Sequence, residues 1–183
     1  IEQFGNEDLS TWPFTQIGAA AFARGRAYHS QEIGDKADVD FRLALEFTSD
    51  SRVRMSILRT MADNRETVLR NDALALETYR TIASSKTNTG SAEYFSGLQA
   101  AARLLTRRGD YVEALKVLNL VDPEMLGGSW RGSMQLSRGQ TLEAAGRKAD
   151  ALKAYRDVVT DESAVESHRR AARKAAAALE SGH

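Results

Sequence analysis

The chain has 183 residues, and its content of 42% hydrophobic and 27% charged residues is that of a folded globular protein. Lys+Arg and Asp+Glu number 25 each, and this neutral balance argues against a dedicated nucleic-acid-binding protein. No cysteine occurs, which excludes disulfides, thiolate catalysis and Cys-based zinc sites. No apolar run approaches the length of a membrane span, so we expect a soluble protein of the cytoplasm or the cell envelope.

The first residue is Ile1 rather than Met, which predicts a processed chain or a piece cut from a longer protein. An N-terminal targeting segment would then have been removed, so the compartment stays open. Residues 1–13 are predicted to form a polar arm, in which Phe4 and Trp12 are large apolar side chains. The arm is either loose or seals the open end of the first helices.

A pair of helices follows the arm, and the pattern repeats along the chain. The first hairpin is predicted over 14–49, with helices at 14–31 and 36–48 and a turn at Gly34 and Asp35. Its second helix carries an apolar stripe at helical spacing. The stripe consists of Ala37, Phe41, Ala44 and Leu45.

The second hairpin is predicted over 50–85, with a first helix at 51–69 and a cap at Asn71 before the next helix. The interval before Ala75 is long, which predicts one extra helical turn in the first helix. A small, polar loop at 84–91 precedes the third hairpin, predicted over 91–123. The fourth hairpin is predicted over 130–162.

A last helix is predicted over 163–180, opened by the capping box of Ser163 and Glu166. A single helix with a polar outer face is what a stack of hairpins needs to cover its final apolar surface. The cluster of basic residues at 168–174 fits the outer face of such a helix, and a role in binding acidic partners is the weaker alternative.

Four alanines mark the repeat, because Ala37, Ala75, Ala114 and Ala151 are separated by 38, 39 and 37 residues (75−37, 114−75, 151−114). Each is followed four residues later by a bulky apolar side chain. These side chains belong to Phe41, Tyr79, Leu118 and Tyr155. Such a period indicates an all-α stack of helical hairpins, a class that usually binds other proteins.

The ordered set Gly25, Tyr28, Ala37, Phe41 and Ala44 resembles the tetratricopeptide repeat, or TPR, family. The fourth hairpin matches the same pattern through Gly139, Gly146, Ala151 and Tyr155, the third through Ala102, Leu105, Gly109, Tyr111, Ala114 and Leu118, and the second only in its second helix. Arg24 and Arg138 depart from it, because the family usually has Leu there. The third and fourth hairpins also resemble units of bacterial envelope proteins built from these repeats.

The resemblance implies one domain over 14–180, a right-handed superhelical stack of antiparallel hairpins with a capping helix. It also assigns twelve residues to packing within and between hairpins. They are Gly25, Tyr28, Ala37, Phe41, Ala75, Tyr79, Ala102, Ala114, Leu118, Gly139, Ala151 and Tyr155.

By the same resemblance, the first helix of each hairpin lines a concave groove that binds a peptide or protein segment. Arg, Gln and Asn side chains on rigid helices can hold the carboxylates and amides of an extended peptide. The candidate groove residues are Phe22, Arg26, His29, Thr60, Asn64, Gln99, Arg103 and Gln140. The alternative is that these residues form a solvated polar face. Trp130 is predicted to pack between hairpins rather than to bind a partner.

No pattern of catalysis occurs: the sequence has no H-E-x-x-H, P-loop, G-x-S-x-G or dinucleotide fingerprint. We therefore expect no catalytic, metal-binding or cofactor-binding residues and no enzymatic activity. The leading hypothesis is a protein-interaction module. The alternatives are an accessory domain of a larger protein or enzyme, and a self-association module that forms a homodimer through its terminal helices.

Overall fold

The computed structural model describes residues 8–87, 89–122 and 126–181, and in this part of the chain all regular structure is helical. One 3-10 turn, Leu9–Thr11, precedes nine α-helices, and no strand occurs among the described residues. The helices are α1 (Phe14–Ser30), α2 (Gly34–Glu46), α3 (Ser51–Thr67), α4 (Asp72–Ala83), α5 (Ala92–Arg107), α6 (Tyr111–Leu118), α7 (Gly128–Ala144), α8 (Lys148–Thr160) and α9 (Glu166–Ser181). The expectation of an all-α protein is confirmed.

The chain divides into two compact units between Gly97 and Leu98, a point inside helix α5. The first unit holds α1 to α4 and the start of α5, and the second unit holds the rest of α5 and α6 to α9. The single domain expected over 14–180 stays a prediction, because the packing described below lies within each unit.

Helices α1 and α2 pack antiparallel, and a glycine sets their approach. A Cβ atom on Gly25 would lie 2.8 Å from Cε1 of the Phe41 ring, closer than real side-chain contacts allow. Near the other end of the pair, a Cβ on Gly18 would meet the carbonyl oxygen of Phe47 at 2.8 Å. The two helices can therefore approach this closely only because the first one presents glycine at both points.

Helices α7 and α8 reproduce this contact in the second unit. A Cβ on Gly139 would lie 2.6 Å from Cδ1 of the Tyr155 ring. Gly139 and Tyr155 follow Gly25 and Phe41 by 114 positions each (139−25, 155−41). The first and fourth hairpins thus share one register at their closest approach.

The turn inside each of the four hairpins contains one residue with a left-handed backbone. These residues are Glu32 (φ 59°), Arg70 (φ 52°), Gly109 (φ 81°) and Gly146 (φ 72°). Each stands five positions before one of the four repeat alanines. In three of the turns, the amide after the left-handed residue donates to a carbonyl five residues back, as Ile33 does to Tyr28 at 2.9 Å. The left-handed residue lets this bond close over the last turn of the first helix.

The second hairpin differs from the others by one residue in its turn. There the amide of Asn71 donates to the carbonyl of Arg65, six residues back, at 2.8 Å. Helix α3 has 17 residues, as α1 and α7 do. The extra helical turn predicted for this helix is therefore wrong, and the added length lies in the turn.

Each unit has an apolar core built from the repeat positions. In the first unit, Ala37, Phe41 and Ala44 are completely buried, and Trp12 packs against their cluster. In the second unit, Ala151 and Tyr155 are completely buried in a cluster that extends to Ala172 and Ala176 of α9. Of the twelve residues assigned to packing, Tyr28 alone is half-buried and the rest are buried. Phe4 lies outside the described residues.

Charged pairs are also buried in the first unit. The Arg24 guanidinium donates to both oxygens of Asp40, from Nε at 2.7 Å and from NH2 at 2.8 Å. Arg65 donates to Asp38 from Nε at 2.6 Å and to the Thr78 hydroxyl at 2.8 Å. The resemblance expects Leu at position 24. The Arg24 side chain is accommodated there because the Asp40 carboxylate neutralises its charge.

Two predicted helix boundaries are wrong. Gly34 does not form the turn with Asp35 but is the first residue of α2, and a Cβ there would lie 2.7 Å from a Leu69 methyl group. Ser163 and Glu166 do not form a capping box. The Ser163 hydroxyl instead bonds Asp161 Oδ1, and the Glu166 carboxylate pairs with Arg169 and Arg173.

Candidate protein-interaction face

In the first unit, a chain of polar side chains joins the first helices of consecutive hairpins. Both ring nitrogens of His29 on α1 lie near oxygen atoms of α3: Nδ1 is 3.2 Å from Asn64 Oδ1 and Nε2 is 3.4 Å from Asp63 Oδ2. Asp63 also lies 3.7 Å from NH1 of Arg59, whose Nε donates to the Ser96 hydroxyl on α5 at 3.3 Å. The polar chain His29–Asp63–Arg59–Ser96 therefore links α1, α3 and α5.

These side chains remain partly open to solvent. The exposed fractions of the His29, Arg59 and Asp63 side chains are 25%, 29% and 40%. Hydrogen bonds of His29 and Arg59 and the ion-pair contacts of Asp63 already hold their polar ends in place, so a partner would meet groups whose orientation is fixed. This preorganisation lowers the entropic cost of binding.

Two exposed or half-exposed candidates of α1 and α3 flank the polar chain. Arg26 is exposed, and its guanidinium carbon lies 5.9 Å from the centroid of the Phe22 ring. Phe22 itself packs edge-on against Phe41 and belongs to the core as much as to the surface. Thr60 is half-buried and donates its hydroxyl proton to the Ser56 carbonyl at 2.9 Å, so it can only accept from a partner.

Asn64 must be removed from the candidate face. It is completely buried, its amide nitrogen donates to the Gly34 carbonyl at 3.0 Å, and its oxygen faces His29. The asparagine therefore fixes the contact between α1, α2 and α3, and it offers no atom to a partner. The prediction placed it on the face by counting four residues on from Thr60, whereas the accessible position lies three residues on, at Asp63.

In the second unit, α5 and α7 are joined in the same way. Gln99 Nε2 donates to the Ser133 hydroxyl at 2.5 Å and lies 3.4 Å from that of Ser137. The hydroxyls of Thr106 and Thr141 are 3.0 Å apart. Arg103 and Gln140 are exposed on the same two helices.

The contacts between first helices recur at a repeat distance. The His29–Asn64 and Thr106–Thr141 contacts each join residues 35 positions apart, and they are displaced from one another by 77 positions (106−29, 141−64). Two consecutive repeat intervals, from Ala37 to Ala114, also span 77 positions (114−37). One positional contact therefore holds the first helices together in both units.

Sequence reasoning missed Arg59 and Asp63, the central pair of the polar chain. Their i,i+4 spacing with opposite charges was the available signal, since such pairs commonly share one helix face. We define the first-helix face of each unit by its accessible residues. They are Arg26, His29, Arg59, Thr60 and Asp63 in the first unit and Gln99, Arg103, Thr106 and Gln140 in the second.

Two buried tyrosines bond glutamates behind this face. Tyr79 donates its hydroxyl to Glu66 Oε2 at 2.9 Å, and Tyr155 donates to Glu143 Oε2 at 2.6 Å. Burial, together with the neighbouring carboxylate, raises the pKa of both phenols. The phenols stay protonated at neutral pH and act as donors that hold the two helices of a hairpin together.

Trp130 lies in the first turn of α7 and is half-buried, and its predicted packing between hairpins is not tested by its position alone. In the basic segment of α9, Arg169 and Arg173 pair with Glu166, whereas Arg170 and Lys174 are exposed. The described residues contain no group of three or more His, Asp or Glu side chains placed to hold a metal ion. None of the described helices is both long enough and apolar enough to cross a membrane.

Comparison of the chain with protein-family models, with curated proteins and with solved structures gives no match.

Proposed function

We propose that this chain is a non-catalytic protein-interaction module, a TPR-like stack of four helical hairpins that binds a peptide or protein segment on its first-helix face. One observation carries the proposal: the first helices of consecutive hairpins are fastened to each other by partly exposed polar side chains at repeat spacing. Within each unit, rigid first helices joined in this way form a platform on which an extended segment can contact more than one hairpin.

The chemistry of the face favours an extended segment with acidic and amide groups. Arg26 and Arg103 are the exposed cations, and Gln140 is an exposed amide. Guanidinium groups bind carboxylates through two parallel hydrogen bonds, and Gln can both donate to and accept from a peptide backbone. Asp63 and His29 between them give the face a partner for a basic or hydroxyl side chain.

Self-association through the last helix is less well supported. The exposed side chains of α9 are Ala, Arg, Lys, Glu and Ser, without a large apolar residue. A helix–helix homodimer usually buries larger apolar side chains at its centre. The outer face of α9 therefore fits the role of a solvated cap. No contact within either unit favours the alternative of an accessory domain over the interaction module.

The test is a selection of peptides from a random displayed library, followed by calorimetric titration of the best binders. We expect Arg26→Ala and Arg103→Ala each to weaken binding by tenfold or more. Arg170→Ala, which removes an exposed arginine from α9, is the matched control and should leave the affinity unchanged. Equal affinities for all four proteins, with unchanged melting temperatures, would place the partner on another face and contradict the proposal.

A further inference from the structure

The first and fourth hairpins differ at one charged position although they share a register. Arg24 and Arg138 both precede the glycine of the close approach, and they stand 114 positions apart (138−24). Asp40, which accepts both hydrogen bonds of Arg24, corresponds to Ala154 at the same displacement (154−40). The fourth hairpin therefore has the arginine, but it has alanine at the position that the carboxylate occupies in the first hairpin.

Arg138 makes no ion pair among the described residues. Its NH2 group bonds the side-chain oxygen of Asn119, a neutral acceptor at the end of α6. A guanidinium group on the flank of a helix pair is stabilised far more by a carboxylate, which can accept two parallel hydrogen bonds, than by a single amide oxygen.

The guanidinium lines an open cleft of about 340 Å³ within the second unit. Ala154, Asn119 and Lys153 line the same cleft, and Ala154 is only 5% exposed at its wall. The space beside Arg138 is therefore accessible from solvent, where the corresponding space beside Arg24 is filled by a buried aspartate whose side chain is 3% exposed.

The charges of the cleft leave room for one negative group. Arg147 donates to Asp150 from Nε at 2.8 Å, so these two neutralise each other. Arg138 and Lys153 then form no ion pair among the described residues. The remaining charges of the cleft are these two cations and the one carboxylate of Asp157. One unit of positive charge is left, which fits a single carboxylate better than a polyanion.

We propose that this cleft binds a carboxylate group of a partner, which takes beside Arg138 the place that the Asp40 carboxylate takes beside Arg24. The site lies among α6, α7 and α8 and shares no residue with the first-helix face, so it is a second binding site rather than part of the first. The carboxylate comes either from an acidic side chain or from a chain terminus, and both present the same planar acceptor.

The experiment is a titration of the whole chain with small carboxylates, followed by NMR at the arginine Nε–Hε groups. N-acetylglycinate represents a chain terminus, N-acetyl-aspartate N-methylamide represents a side chain, and N-acetylglycinamide is the uncharged control. We expect saturable shifts of the Arg138 signal with at least one of the carboxylates, and the tighter one identifies the source. The Arg24 signal should not move, because its guanidinium group already donates to both oxygens of Asp40.

Two variants sharpen the test. Ala154→Asp restores the internal counterion and should weaken carboxylate binding at least tenfold, and Asp157→Asn removes the competing negative charge and should strengthen it. If Ala154→Asp does not fold, Arg138→Gln replaces it, with binding followed at the backbone amide signals of the residues that line the cleft and with the same expected loss. Three results would overturn the proposal. They are linear shifts without saturation, binding of the uncharged amide as tight as that of the carboxylates, and unchanged carboxylate affinity in Ala154→Asp or in the Arg138→Gln variant that replaces it. None of these results bears on peptide binding at Arg26 and Arg103.

Discussion

The ring of Tyr155 occupies the space in which a side chain on Gly139 would stand. A Cβ atom there would lie 2.6 Å from Cδ1 of the ring, and Tyr155 is completely buried and held by its hydrogen bond to Glu143. Neither partner can move away without opening the core of the second unit. The glycine is thus required by the aromatic residue 16 positions later, as Gly25 is by Phe41.

We predict that Gly139→Ala destabilises the chain. Overpacking of a tight core costs about 1–3 kcal/mol, which exceeds the gain of about 1 kcal/mol that Ala brings to a helix interior. Gly25→Ala should cost less, because its closest approach is 2.8 Å. The measurement is urea denaturation. Gly90→Ala, at a position with open space around it, is the control, and a Gly139→Ala protein as stable as this control would refute the prediction.

We predict that Glu32→Gly and Arg70→Gly each stabilise the chain. A side chain in the left-handed region costs about 1–2 kcal/mol, of which the greater freedom of glycine in the unfolded chain returns about half. A net gain of about 0.5–1 kcal/mol follows. Ser49→Gly, in an exposed loop without a left-handed backbone, should give a small loss instead. Thermal unfolding of the three variants measures the difference, and a loss at all three positions would contradict the role of these turns.

We predict that stability falls as the pH rises above about 10. An unfolded tyrosine releases its proton near pH 10, whereas burial raises the pKa of Tyr79 and Tyr155 in the folded chain. The folded state then binds more protons than the unfolded state, and each phenol contributes a slope of up to about 1.4 kcal/mol per pH unit. This contribution is fully present below pH 10 and is lost above it.

The double variant Tyr79→Phe and Tyr155→Phe should flatten this fall between pH 10 and 11.5 in urea denaturation. Tyr111→Phe is the control and should keep the fall, because both buried phenols remain. A double variant with the same alkaline slope as the wild type would show that other groups cause it.

We predict that Asn64→Asp is more harmful than Asn64→Ala. The alanine leaves the Gly34 carbonyl and the Nδ1 atom of His29 without their partner, at a cost of about 1–3 kcal/mol. The aspartate cannot donate to the carbonyl, and it adds a charge at a completely buried position. Gln140→Ala, on the exposed side of α7, should change the free energy of unfolding by less than about 0.5 kcal/mol. Equal stability of the two Asn64 variants at neutral pH would contradict the described contacts.

The helices could be predicted from the sequence because several independent patterns indicated the same helical pairs. The alanine spacing, the glycines at the two close approaches and the bulky apolar residue after each alanine depend on short-range geometry, and these positions are buried in both units. Gly109 and Gly146 belong to the residues that match the repeat pattern, and both lie in turns with a left-handed backbone. Glu32 and Arg70 gave no such signal, since their left-handed backbones are imposed by the turn and not by the side chain.

The face was harder to predict than the helices. A helix rotates by about 100° per residue, so an error of one position moves a side chain from the surface into a contact. Asn64 and its neighbour Asp63 show this: the first is completely buried and the second is 40% exposed. A step of four residues from Thr60 predicted Asn64 for the face, whereas a step of three residues reaches the accessible Asp63.

The polar chain from His29 to Ser96 would couple the binding of a partner to the contacts between α1, α3 and α5. Its members hold successive hairpins together, so a partner that draws Asp63 or Arg59 toward itself weakens the fastening between α1, α3 and α5. By thermodynamic reciprocity, whatever loosens that fastening also changes the affinity for the partner. The spacing of the hairpins and the binding of a partner on the face are therefore thermodynamically coupled.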